Sequence, residues 1–588
     1  MRSFKIGAWS IVMLMIISSG CKKILEPNND DHSTFERVYD DPTFAEGLLI
    51  KAYTYIPTND YTYNEVATDD AVTNDKFSSQ MKMATGSWSS LFNPENLWDN
   101  GNKAILYINR FLEVVDTVQW KYTDKDLNEL YKRRLTGESY ALRGLFKFYL
   151  LRNHGGVGAG GELLGFPVYN TFQTTKAEFS QPRANFAESV KSAYDDLDSA
   201  LLFLPLDYKN LANISSLPPG FDEITDIDKY NTVFGDVMQQ RISGRHALAI
   251  KARLALLAAS PAFNPNNNTN LWEDAAKITA ELLDDIHGPS GLDPKGNVFY
   301  LKAQVDNADI TSGNKKDLDE ILWRRPIYTN HDREQSNFPP SLYGNGNINP
   351  SQNLVDAFPM ANGYPVTDPS SGYDPSNPYA GRDPRLSLYI VYNGSSMKGT
   401  KIMTEEGGGD DALDFLQNST RTGYYLRKLL REDVNVNPIS VSNQKHFNTH
   451  IRYTEIFLNY AEAANEAWGP DGTGSQGYSA RDIIAAIRKR AGIGQPDNYL
   501  SSIAGKEDMR KLIHNERRLE LCFEGFRFWD LRRWNEDLTE PVKGVRINNG
   551  NYQYFTVEKR EYDNGYMHYG PVPDKEVVKF NLIQNKGW

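Results

Sequence analysis

The stretch GESYALRGLFKFYLLRNHGG, residues 137–156, decides how the rest of the chain is read. Ala141, Leu145, Phe148 and Arg152 recur at helical spacing on one stripe, while Tyr140, Leu142, Phe146 and Tyr149 cover the other sides. A helix that is apolar nearly all round has to be enclosed by other helices, so this one belongs to a helical interior. The pattern predicts a helix from Thr123 to Asn153 with a partner over Ala184 to Leu204. The same two-helix unit is read at Ser243 to Ser260 with Leu271 to Ile286. It is read again in IRYTEIFLNYAEAANEAW (451–468) with SARDIIAAIRKRAG (479–492). In that last pair Tyr453, Ile456, Phe457, Tyr460, Ala464 and Ala467 form an apolar face with small residues. Ser479 and Asp482 make a capping box, and Gly492 supplies the stop. From Arg452 to Ile483 is 31 residues, near the roughly 34-residue period of a tetratricopeptide (TPR) repeat, while insertions spread the other pairs.

At 588 residues the chain exceeds what one growing core accommodates, and its 40% hydrophobic and 24% charged residues are ordinary globular values. The formal charge of −12 and the lack of a dense Lys/Arg stripe speak against nucleic acid as a partner. Near the start, Arg2 and Lys5 precede an uncharged run from Ile6 to Ile17, then Ser18, Ser19, Gly20 and Cys21. That run is too short to span about 30 Å of hydrocarbon and reads as an export signal. A cysteine directly after the small residues fits a bacterial lipoprotein signal, in which Cys21 becomes the acylated N-terminus, here with Ser18 at the position where leucine is usual. Acyl chains anchor through about 0.8 kcal/mol per buried methylene. Only Cys522 then remains. It lies among apolar helix residues in LELCFEG, so no internal disulfide forms and Cys522 reads as core filler.

Between the helical parts lies a long irregular region, Phe338 to Pro384, rich in Pro, Gly, Asn and Tyr. Connections of that length are seldom structureless unless functional or disordered, and the aromatic content points to an ordered, loop-built surface. Several motifs are read structurally. GVGAGG (156–161) has dinucleotide glycine spacing but follows a helix and not a strand. HFNTH (446–450) spaces two histidines as zinc proteases do but lacks the glutamate base. In NERRLELCFEGFRFWDLRRW (515–534), Glu516, Glu520 and Glu524 stand at i,i+4 spacing beside Arg517 and Arg518, which reads as same-face structural ion pairs and not a catalytic carboxylate cluster. Trp98, opening LWDNGNKAILYINRFLEVV, reads as a core anchor.

Taken together these motifs resemble the SusD/RagB family of Bacteroidetes outer-membrane lipoproteins. The resemblance covers almost the whole chain: the Cys21 signal, ESYALRGLFKFYLLRNHGGV, SAYDDLDSALLFLP, GRHALAIKARLALLAASPAFN, the GRDPR turn at Gly381 to Arg385, RYTEIFLNYAEAANE, AAIRKRAG, NERRLELCFEGFRFWDLRRW and GPVPDKEVVKFNLIQNKGW. Gly158 and Lys586 depart from the family pattern, each at a position where proline is common. The resemblance implies a mostly α fold, a SusD-like α/α superhelix: a TPR-like helical-hairpin scaffold packed against an irregular, loop-rich lobe with short strands. It divides the chain into a signal peptide (1–20), a tether (21–40), an N-terminal region with TPR-like helices (41–300) and a C-terminal region (301–588). The last includes the ligand lobe (338–445), all within one interlocked unit. It further implies a non-enzymatic, surface-facing, lipid-anchored protein that delivers a nutrient, usually an oligosaccharide, to a SusC-like TonB-dependent transporter. A peptide ligand of the RagB type and an exported glycoside hydrolase are the alternatives. No cofactor or metal is expected, with calcium in the Asn/Asp-rich loops left open.

Sugars stack apolar ring faces on aromatics and present hydroxyl edges to polar side chains. Residues with that chemistry outside strong helices are Tyr61, Tyr63, Asn64 and Asp69 in NDYTYNEVATDD, Trp88 in GSWSSLFN, Trp323, Arg325 and Tyr328 in ILWRRPIY, and Tyr343 and Asn345 in PPSLYGNGN.

Overall fold

The computed structural model describes residues 39, 41–57, 63–308 and 317–588; Cys21, the leader and Tyr61 lie outside them. Among the described residues the longer helices are α1 (Pro42–Tyr53), α2 (Trp98–Val114), α3 (Lys125–His154), α4 (Phe186–Phe203), α5 (Gly244–Ala259), α6 (Thr269–Asp284), α7 (Tyr453–Trp468), α8 (Ala480–Ala491) and α9 (Lys506–Glu520). Each packs on its predecessor from α1 to α8, and α9 packs on α7, so the hairpins predicted for α3/α4, α5/α6 and α7/α8 are present and join into one frame. The fold is the mostly α, TPR-like scaffold that the sequence pattern predicts. Helix starts follow side-chain chemistry: Asp124 caps α3, and Asn185 and Ser479 form capping boxes with Glu188 and Asp482. α3 meets α4 at Gly137 and Gly144, two turns apart on one face. A β-carbon would come within 2.6 Å of Leu204 at the first and of Leu197 at the second, so glycine is what lets the helices approach. Trp98 is buried edge-on to His154, the core anchor predicted for it.

α6 and α7 are adjacent in space although the chain between them runs from Asp285 to Arg452. That excursion, with contributions from Val66, Ala71 and the C-terminal hairpin, builds a second hydrophobic core around Tyr389, Tyr425, Leu430 and Val545. Its backbone is held by short antiparallel pairs: β1 (Ala71–Thr73) with β3 (Ile348–Pro350), and β2 (Ile321–Arg324) with β4 (Thr449–Arg452). β5 (Val542–Asn548) pairs with β6 (Asn551–Glu558) in the same way. GVGAGG is the tip of a small hairpin pairing Gly156–Val157 with Leu163–Leu164, not a phosphate loop. His446 meets Glu334 and His450 packs on Trp323, so the two histidines of HFNTH do not share a metal.

A buried ion network joins the two cores. Arg385, fully buried, contacts Asp383, Glu516 and Glu520 at 2.7, 2.9 and 3.0 Å. Arg488 reaches Glu516 and Asp497, Arg490 reaches Glu520, and Arg452 reaches Glu320 and Glu524. This corrects the same-helix pairing expected for 515–534. α9 ends at Glu520, Phe523 and Gly525 take positive φ, and Glu524 stands in the turn beyond. Arg517 turns instead to Asp530, and Arg518 to Asp69 and Asp70. The cause is the C-terminus of α9, whose free carbonyl at Glu520 accepts from Lys428 Nζ at 2.7 Å and Arg452 Nη2 at 2.8 Å; cations there complement the exposed carbonyl dipoles. Cys522, beside them, is buried, and burial pushes its thiol up to about 12.

These groups set the pH dependence of stability. Burial alone would raise Glu520, but Arg490, Arg385 and Arg452 outweigh it and hold the carboxyl at about 2; burial likewise opposes Arg533 at Glu462, which also falls to about 2. Such carboxylates contribute stability above their unfolded value of 4.5 that is lost as pH falls toward 2. Glu65 has the opposite sign: burial outweighs the Gly525 N–H and raises it to about 7. Its protonated form is favoured on folding, so its contribution, present below 4.5, is lost as pH climbs to 7. Denaturant unfolding of Glu65→Gln is therefore expected to show a gain over the parent that is larger at pH 8 than at pH 5. An equal difference at both would refute the assignment.

Candidate functional site: an aromatic platform on the loop lobe

Phe77, Tyr343 and Phe415 are 84%, 54% and 61% exposed, unusual for aromatic rings on ordered loops. Their loops are tied to one another. Asn74, three residues before Phe77, donates from Nδ2 to the carbonyls of Asn345 and Gly346 at 3.1 and 2.9 Å, extending the β1/β3 ladder. Asn418, three after Phe415, donates to the Gly344 carbonyl at 3.2 Å. The Tyr343 carbonyl accepts from Gln335 Nε2, and Ser341 donates from both N and Oγ to Asp411. Arg421 Nη1 donates to the Thr73 carbonyl while its backbone N–H reaches Asn349 Oδ1. Side chains thus replace a sheet in fixing these loops. The loops that carry the rings are held in place before any ligand arrives, which removes part of the ordering cost of binding.

The predicted residues separate into two sets. Tyr343 and Asn345 lie exposed on this platform. Trp88 is a correction: it is buried, donates from Nε1 to Asn93 Oδ1, and its ring is boxed by Trp588, Phe528 and Tyr562. Trp323 is another: it is buried, with His246 stacked on its ring at 5.2 Å and His450 tilted against it at 4.7 Å. Asp69 is buried against Arg518 and Arg527, whose guanidiniums outweigh burial and hold its carboxyl low, and Asn64 is buried beside it in the chain. Tyr63 packs half-buried against the second core; Tyr328 donates to Asn448 Oδ1 and stacks on His446; Arg325 is half-buried just past the end of β2. The physical reason is common to all: aromatic and polar residues near tight turns serve the junction between cores as well as a ligand, and local sequence does not separate the two uses.

Phe77 and Phe415 went unread in sequence. Phe77 stands among polar neighbours in TNDKFSSQ, a weak signal of exposure, whereas Phe415 in DALDFLQNST is flanked by Leu413 and Leu416 and has no local signal that separates it from a core position. A second tyrosine group lies along the β5/β6 hairpin, where Tyr379 stacks on Tyr392 at 4.4 Å and meets Tyr552 edge-on at 6.0 Å.

Comparison with known proteins brings several matches. The model of the SusD family matches residues 318–588, and one described as starch-binding associating with outer membrane matches residues 25–218. A SusD-like protein of Formosa agariphila is 23% identical over 561 residues, covering 91% of this chain and 93% of its own. Among solved structures, a SusD-like protein from Bacteroides fragilis superposes with a TM-score of 0.69 at 24% identity, over 96% of this chain and all of that one. A SusD-like carbohydrate-binding protein of the same species gives 0.66 at 21%, over 92% and 99%. No helix among the described residues is long and apolar enough to cross a membrane.

Proposed function

The chain belongs to the SusD/RagB family, and from that premise we propose that it is an outer-membrane lipoprotein that captures an oligosaccharide at the cell surface. It passes the ligand unaltered to a SusC-like TonB-dependent transporter. The observation that supports this reading is the platform: Phe77, Tyr343 and Phe415 exposed on loops that Asn74 and Asn418 fasten together. Rigid aromatic faces take the CH faces of pyranose rings, and neighbouring Asn, Asp and backbone groups take hydroxyls. The match of residues 25–218 to a model named for starch binding supports the carbohydrate class over a peptide.

Calorimetric titration of the detergent-solubilised protein against a glycan panel and a peptide pool tests the ligand. Saturable binding to a glycan supports the reading; binding only to peptides replaces it, and release of reducing ends from the bound glycan makes the protein a hydrolase. Cys21 carries the anchor in this proposal: palmitate label is expected in the parent and absent in Cys21→Ala, and equal label in both refutes lipidation. Co-purification of a large β-barrel with the native lipoprotein is the expected sign of the transporter.

A further inference from the structure

A cleft of about 290 Å3 lies where α3, α5, α7 and the short helix Arg527–Arg533 converge, sharing no wall with the platform. That is near the lower end of the roughly 300–1,000 Å3 usual for small-molecule sites. Most charges around it are matched within the protein: Arg253 binds Glu455 at 2.5 Å, and Arg517 and Arg533 share Asp530. Arg152 is different. Its Nε donates to Asn153 Oδ1 at 3.0 Å and its guanidinium lies 4.3 Å from the Trp529 ring centre and 5.1 Å from that of Tyr149. No carboxylate among the described residues is within ion-pair distance. Burial lowers it only to about 10, so it stays cationic at neutral pH.

Among the described residues, three further polar atoms of cleft-lining side chains are buried without a hydrogen-bond partner: Asn64 Oδ1, Glu95 Oε1 and Asn459 Nδ2. Asn64 and Asn459 are 2% and 1% exposed. The Asn459 amide has a defined orientation, because its Oδ1 accepts from Arg517 Nη1 at 2.7 Å and leaves Nδ2 as the unused donor. A buried unpaired polar group costs about 1–3 kcal/mol, so several gathered on one cavity beside a guanidinium that Tyr149 and Glu95 offset only from beyond contact mark a place built for a partner.

We propose that this cleft binds a small carboxylate-bearing polyol of monosaccharide size, a uronic acid in chemical type. The carboxylate meets the two free Nη groups of Arg152 in the bidentate geometry guanidinium favours. One hydroxyl accepts from Asn459 Nδ2, others donate to Asn64 Oδ1 and Glu95 Oε1, and Tyr149 and Trp529 supply apolar wall. The site stands on the cleft alone and does not depend on what the platform binds.

The test is calorimetry of the full-length protein in detergent at pH 7 with glucuronate and galacturonate, against glucose and acetate as the neutral sugar and the bare carboxylate. One uronate is expected to bind saturably at one site per chain, with glucose and acetate at least tenfold weaker. Arg152→Met removes the charge while keeping the stem over Trp529. Asn459→Asp keeps the acceptor for Arg517 and loses the donor, and circular dichroism of both variants separates lost binding from lost folding. Each is expected to weaken uronate binding at least tenfold, and Tyr343→Ala to leave it unchanged. Absence of uronate binding, equal binding of glucose or acetate, persistence of binding in both cleft variants, or its loss in Tyr343→Ala would each overturn the proposal.

Discussion

Arg385→Met is expected to destabilise the protein by about 3–5 kcal/mol, the cost of breaking a buried charge cluster by removing one member. Arg385 has no exposed side-chain surface and neutralises carboxylates from two directions, Asp383 at its own turn and Glu516 and Glu520 on α9. Methionine fills similar space but leaves Asp383 with a buried charge. Glu516 and Glu520 retain only Arg488 and Arg490 among their closest guanidiniums. Because these groups tie the helical frame to the loop lobe, the loss falls on both cores at once. Guanidinium chloride unfolding should show a lowered midpoint, and the acid limb should begin at higher pH, since Arg385 helps hold Glu520 at about 2. Lys191→Met, which removes an exposed i,i+4 pair with Asp195, is the control and should change stability by less than about 1 kcal/mol. Equal effects from the two substitutions would show that the network does not hold the cores together.

The second large effect is on binding. Phe77→Ala with Tyr343→Ala is expected to weaken the glycan selected by calorimetry by roughly tenfold to a hundredfold, taking about 0.5–1.5 kcal/mol for each aromatic contact and about 1.4 kcal/mol per factor of ten. Folding stability should stay within about 0.5 kcal/mol, because both rings are exposed and their loops are fixed by Asn74, Gln335 and backbone groups that remain. Trp88→Ala should behave in reverse: its ring is core to Trp588, Phe528 and Tyr562, so melting falls by the about 3–5 kcal/mol of a large aromatic truncation. Glycan affinity unchanged in the Phe77/Tyr343 double variant would remove the platform from the function.

The helical frame was legible because its information is local. A helix repeats every 3.6 residues and its caps sit within a turn of its ends, so the start read at Thr123 and the caps read at Ser479 and Gly492 mark boundaries that the structure places within a few residues. The excursion between α6 and α7 carries no such period. Its order comes from the second hydrophobic core and from single hydrogen bonds between residues far apart in the chain, such as Asn74 with Asn345, and these leave no pattern at any fixed spacing.

Sequence by itself determined that helices of enclosed type pair into hairpins, that Cys522 is buried filler, that Trp98 anchors the frame and that the chain carries the motifs of its family. Only the tertiary structure decided the rest: that Glu524 leaves α9 to meet Lys428 and Arg452, that Trp88 and Trp323 face inward, and that Phe77 and Phe415 join Tyr343 outside. The physical reason is that burial and charge pairing belong to pairs of residues brought together across the fold. Periodicity and capping belong to neighbours along the chain.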